Sequence, residues 1–188
     1  MRKPALIISV ACLALAACGD SAKEEKTPQS QDEIAKEAGQ LTKPQPGQYV
    51  SKSEVINFEV PGLPPEQADQ MKQMFTGMGA QEQSYCMTKE QAEKGFEDAI
   101  REMGQGEEGM NCKFDRFNVN GNALDAQLAC DAGDKGSAKM TMTGTVTETS
   151  QDVEMHISQE NAQIPGGKMT IGMKVSSKRT GDCKEGSS

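Results

Sequence analysis

Sulfur is the chemically distinctive element of this sequence. Six cysteines and twelve methionines stand in 188 residues, against one histidine, His156. Cys86, Cys112, Cys130 and Cys183 lie in the body of the chain, and an even set of this kind in an exported protein forms two disulfides. Zinc is the rival use of four thiols. No two of them stand as C-x-x-C, however, and none neighbours His156, so metal ligation by cysteine is not expected. Met71, Met74 and Met78 recur at helical spacing, and thioethers can hold Cu(I), a soft ion. Packing of a flexible apolar side chain explains the same spacing without a metal. A hydrolytic site needs a nucleophile, a base and an orienting group brought together. His156 alternates with Glu154 on what reads as the wet side of a strand, with Glu160 just beyond, and is read as a surface histidine. No G-x-S-x-G, H-E-x-x-H or phosphate-binding glycine loop occurs; Gly77-Met78-Gly79, Gly104-Gln105-Gly106 and Gly166-Gly167 read as turns. Glu107-Glu108 lacks the ligand spacing of a calcium loop. The expectation is a protein without catalytic residues or cofactor.

The other two cysteines stand near the start. Arg2 and Lys3 precede an apolar run from Ala5 to Ala17, which is short for a membrane span and has the flanks of an export leader. The run closes in Leu15-Ala16-Ala17-Cys18-Gly19, which resembles the lipobox of bacterial lipoproteins. That resemblance implies cleavage before Cys18 and acylation of its sulfur and α-amine. Two or three acyl chains hold a protein on a membrane that one chain holds only marginally, each buried methylene contributing about 0.8 kcal/mol. Asp20, second after the anchor, resembles an inner-membrane retention signal, so the expected location is a bacterial envelope, facing the periplasm.

Charge and aromatic content exclude some partners. The formal charge is −8, and loss of Arg2 and Lys3 with a leader takes it to −10. An acidic body without a basic stripe argues against nucleic acid. With five Phe, two Tyr and no Trp, stacking platforms for bases or sugars are poorly supplied. The length suits one core.

The elements that position these residues can be read from their periods. Residues 19–48 are polar, with prolines at 28, 44 and 46, and read as a flexible stalk; Ser30 to Leu41 offers at most a brief helix with Ile34, Ala38 and Leu41 on one side. Beyond Tyr49 the period is two. Ala138, Met140, Met142, Gly144 and Val146 alternate with polar residues, as do Val153, Met155 and Ile157, and then Met169, Ile171, Met173 and Val175. Three consecutive strands with one wet side describe an antiparallel meander. Tyr49 to Val60 is a longer, less regular strand. Thr88 to Gln91 has capping-box spacing, and Ala92, Phe96, Ala99, Ile100 and Met103 follow on one helical face. A second helix is expected after Pro64-Pro65.

Local geometry also selects a cysteine pairing. Asn120-Gly121-Asn122 marks a hairpin, and a three-residue loop centred on Gly121 sets Cys112 opposite Cys130 and Phe114 opposite Leu128. A two-residue turn would miss this register by one unless a bulge intervened. Cys86 is then left to Cys183.

Several short motifs stand in a fixed order along the chain: Pro46-Gly47-Gln48-Tyr49, Val60-Pro61-Gly62-Leu63-Pro64-Pro65, Cys86-Met87-Thr88, the Cys112 to Cys130 hairpin, Met140 to Thr143, and Ser177-Lys178-Arg179-Thr180-Gly181-Asp182-Cys183. In these the chain resembles the bacterial envelope family catalogued as domain of unknown function 3617. Tyr49 stands where Trp is usual in such families, keeping an aromatic plug without the indole donor. The resemblance implies an exported, often lipidated β-rich domain and transfers no catalytic residue.

The expected organisation is a leader over 1–17, acylated Cys18 and tether over 18–47, one mainly β domain over 48–184, and a tail over 185–188. That domain is read as a curved antiparallel meander carrying one packed amphipathic helix. Its expected role is a membrane-anchored binding or interaction module, with the membrane reached through Cys18 and an envelope protein as partner. A carrier of a lipid or other hydrophobic small molecule is the first alternative, and Cu(I) binding by Met71, Met74 and Met78 the second.

Overall fold

The computed structural model of the chain describes residues 30–79, 82–105 and 110–184, without the side chains of 78, 79 and 105. The leader, Cys18, Asp20, Glu107-Glu108 and the 185–188 tail lie outside the described residues.

Among the described residues seven strands make one open antiparallel sheet: β1 (Gly47–Glu59), β2 (Gln83–Met87), β3 (Asn111–Asn120), β4 (Ala123–Asp131), β5 (Ser137–Val146), β6 (Ser150–Glu160) and β7 (Lys168–Gly181). Their order is β2-β1-β7-β6-β5-β4-β3. The last five therefore form the meander that the alternation requires, and β1 returns to lie beside β7. Facing residues in antiparallel strands share a face. Met140, Ile157 and Ile171 form one apolar row across β5, β6 and β7, and Met142, Met155 and Met173 form the next. Thr141, His156 and Gly172 lie between those rows, on the opposite face.

The β3–β4 hairpin reaches its register by a different route from the one expected. Asn120 faces Ala123 across a two-residue Gly121-Asn122 turn, not a three-residue loop. Gly121 takes φ +59°, as the first central residue of a tight primed turn needs. The offset is cancelled at Asp115, where a bulge separates the Phe114–Leu128 and Arg116–Gln127 pairs. Cys112 then faces Cys130 with Cα atoms 4.0 Å apart, and the two are disulfide-bonded.

Two further expectations are corrected. The segment read as stalk contains α1 (Gln31–Ala38), capped by a reciprocal Ser30–Glu33 box. Ile34, Ala38 and Leu41 are buried in the core, so this segment is part of the folded body and not of a tether that ends at 47. The brief helix expected between Ser30 and Leu41 is therefore present, and what low average hydropathy hid is its packing; three apolar residues on one side suffice when a hydrophobic surface waits for them, and burying Ile34 alone stabilises by about 1.5–3 kcal/mol. The second correction concerns the single amphipathic helix, which is two: α3 (Lys89–Lys94) and α4 (Glu97–Gln105). Gly95 at φ +62° ends α3 and redirects the chain. Thr88 and Gln91 do form the capping box. Ala92 and Ile100 are buried, whereas Ala99 is exposed because the break changes the phase of the helical face.

Helix α1 packs on α4 and both pack on β3. Arg101 meets Asp32 at 2.8 Å and the Gln31 amide donates to the Gly104 carbonyl at 2.7 Å. The core lies between this pair and β3–β5, around Phe114, Phe117, Leu128 and Met142. The expected second helix is α2 (Pro65–Gly79), which packs on β1. Its Phe75 ring lies 5.4 Å from that of Phe58.

Candidate functional site

The apolar face of the sheet is covered unequally. Under α1 and α4 it is closed: Ala126, Leu128, Met142 and Val146 are buried. Across β6, β7 and β1 the same face continues through Val153–Val175–Ser53, then Met155–Met173–Val55, then Ile157–Ile171–Phe58. Phe58 is buried against α2, but Val55, Val153, Met155, Ile157, Ile171, Met173 and Val175 are only half-buried. Met155 touches the core cluster; the other six stand outside it. A strip of β-branched and methionine side chains is thus left partly open beside a helix, with no polar side chain in its second and third rows.

Alternation in β6 and β7 made most of this strip legible in advance. Val55 was not, because the extra residue at Ile56 shifts the parity of β1: Val55 faces Met173, whereas Asn57 faces Gly172. Ile56 is thrown to the opposite face and exposed. A Cβ on Gly172 would crowd Asn57, Ile56 and His156 at 3.0–3.2 Å, so the bulge fits beside a residue without a side chain.

At the opposite end of β1, three separated segments meet. Tyr49 is buried and stacks on Tyr85 with ring centroids 5.6 Å apart. Its hydroxyl lies 2.8 Å from the Gln45 carbonyl and 3.2 Å from that of Glu148. Burial, with Tyr85 adding to it, holds the Tyr49 phenol above the usual tyrosine pKa. Arg179 donates to the Pro46 carbonyl at 2.9 Å and pairs with Asp182. Gly47 lies so close that a Cβ there would stand 2.5 Å from the Arg179 Nε and 2.4 Å from the Gly181 carbonyl. Cys86 and Cys183 are disulfide-bonded beside them, as expected. These residues are occupied in holding one another, which makes this end a clasp.

The remaining sequence candidates are not brought together. His156 is exposed on the polar face, 2.7 Å from Glu154. Among the described residues no group of three His, Cys, Asp or Glu is arranged to hold a metal. Met71 is half-buried and Met74 is 56% exposed on α2, while the side chain of Met78 lies outside the described residues. The Phe75–Phe58 contact is part of the packing of this helix on β1. An open pocket of about 770 Å³ lies at the strand ends between Asn111, Asp131, Lys139 and Glu160, away from the apolar strip. Beside Tyr49 and Phe96 the apolar face leaves only about 10 Å³. No helix of the described residues is long and apolar enough to cross a membrane.

The clasp joins Pro46-Gly47-Gln48-Tyr49 to Arg179 through Cys183, the first and last motifs noted in the sequence. The family model described as protein of unknown function (DUF3617) matches residues 44–183, from just before the clasp to its final cysteine. The chain belongs to the DUF3617 family. No curated protein and no solved structure matches it. The matched span leaves out α1, so this DUF3617 domain is completed by a helix outside the family model. A second motif also meets a distant partner: Gly62 lies against Gly166, and a Cβ on Gly62 would fall 2.2 Å from the Gly166 nitrogen. That contact of the turn before α2 with the β6–β7 loop helps set where α2 sits.

Proposed function

We propose that this DUF3617 domain is a non-enzymatic binding module held on a bacterial envelope membrane through acylated Cys18, and that it binds through the half-open apolar strip. The strip carries this reading. A sheet face packed only for stability is expected to be closed, as it is under α1 and α4, whereas Val153, Ile157, Met173 and Val175 remain partly accessible without contributing to the core. The lipobox-like ending at Cys18 supports the anchor.

The two parts are tested separately. Cells fed a labelled fatty acid should label the wild-type chain, and Cys18→Ser should abolish both label and membrane fractionation. For the strip, the chain from Gly19 is exported behind an ordinary cleavable leader, so that it oxidises without acylation. It should enhance the fluorescence of an anilinonaphthalene dye. Val153→Thr with Val175→Thr keeps the branched shape and adds two hydroxyls; it should weaken the dye about tenfold with an unchanged melting temperature. Equal dye binding by this variant would remove the strip from the proposal.

A further inference from the structure

We infer that the occupant of the apolar strip is an acyl chain of a bilayer phospholipid, lying along β7 with its headgroup left outside. This deepens the reading above and rests on it.

The dimensions are those of a lipid tail. Along β7 the apolar side chains run from Met169 to Val175, six residue steps or about 20 Å at strand rise, with Gln159 beside Met169 and Ser53 beside Val175 bounding a strip about 10 Å wide from β6 across β7 to β1. One leaflet supplies about 15 Å of hydrocarbon, half of the roughly 30 Å core. A chain of that length fits along the strip, and the width admits two side by side. The chemistry agrees. The rows Met155–Met173–Val55 and Ile157–Ile171 offer methyl, methylene and thioether groups, with no hydrogen-bonding side chain to orient a polar or aromatic ligand. Among the described residues no buried side-chain nitrogen or oxygen lacks a partner, so nothing inside calls for a polar ligand group.

The chain before the body fixes the source. Eleven residues, 19–29, separate Cys18 from Ser30, so an acylated Cys18 keeps the start of α1 within roughly 40 Å of the bilayer surface at full extension. That span is polar and charged and is not itself a match for the strip. The acyl chains on Cys18 are committed to the bilayer as the anchor, which leaves phospholipid tails as the other apolar groups in reach at high local concentration. Helix α2 lies at one end of the strip, with Phe75 on Phe58, and covers that end of the bound chain.

The test is displacement of the dye from the unacylated chain, oxidised as above, by lysophosphatidylcholines of increasing acyl length. Affinity should rise about fourfold per methylene and level off once the chain outruns the floor. Phosphatidylcholine vesicles should compete as well. In Val153→Thr with Val175→Thr the length dependence should flatten while the fold is retained. A length-independent affinity, or displacement by compact aromatic compounds but not by lysolipid, overturns the acyl chain and leaves the apolar strip standing. Dye exclusion that grows with protein concentration, alongside a dimer by sedimentation, overturns it in favour of a second copy of the chain.

Discussion

Tyr49 shows how one side chain can carry both packing and a polar constraint. Its ring fills the space against Tyr85, and its hydroxyl reaches two backbone carbonyls of separate segments. Tyr49→Phe should keep the packing and leave those carbonyls without the donor, costing about 1 kcal/mol at neutral pH. The phenol is also a pH handle. Because its folded pKa lies above the unfolded value near 10, the folded state holds the proton more tightly. The resulting stability is complete below pH 10 and is lost as pH rises through the folded value. Urea unfolding at pH 7 and above pH 10 should show a smaller alkaline loss in Tyr49→Phe than in the wild type; an identical loss would assign it to other groups.

Helix α1 shows why element boundaries cannot be set from composition. The chain from 19 to 48 is polar on average, yet Ile34, Ala38 and Leu41 close the core against the sheet, and α1 pairs with α4 through Asp32–Arg101. A chain starting at Ser30 should melt at the same temperature as the full mature chain. One starting at Gln48 should lose several kcal/mol, since removing Ile34 alone leaves a cavity of the kind that costs about 2–5 kcal/mol. Thermal unfolding followed by circular dichroism distinguishes the two, and equal stability of the shorter chain would return α1 to the tether. The sheet edges are guarded in the usual ways. β2 is only five residues long, and both β3 and the open half of β1 carry bulges and charges such as Lys52 and Arg116.

Across the whole molecule, order is held from two ends. At one, the Gly62–Gly166 contact seats the loops next to α2; at the other, Arg179, Tyr49 and Cys86–Cys183 bind the first strand, the last strand and the short edge strand together. The long bridge spans 97 residues and the hairpin bridge 18, so loop closure alone assigns the long one the greater effect, about 4.7 against about 3 kcal/mol. Cys86→Ala with Cys183→Ala should cost about 2–5 kcal/mol. Its amide exchange should quicken first at Gln83–Met87, which pairs with β1 and no other strand, while β4 and β5 stay protected. Uniform exchange across the sheet would show that the bridge supports the entire fold and not the edge.

What the sequence by itself determined is what depends on neighbours along the chain. Period-two alternation set β5, β6 and β7 and the shared face of Met140, Met155 and Met173. Hairpin arithmetic paired Cys112 with Cys130, although the turn and the bulge at Asp115 made two compensating errors of one residue. What only the tertiary structure decided depends on surfaces that meet from far apart. α1 is part of the body because a hydrophobic surface elsewhere accepts its three apolar residues, and β7 lies beside β1 through pairing between opposite ends of the body. Part of the apolar face is left only half-buried because α1 and α4 cover β3–β5 while α2 stands on β1, a division of cover that no local pattern encodes.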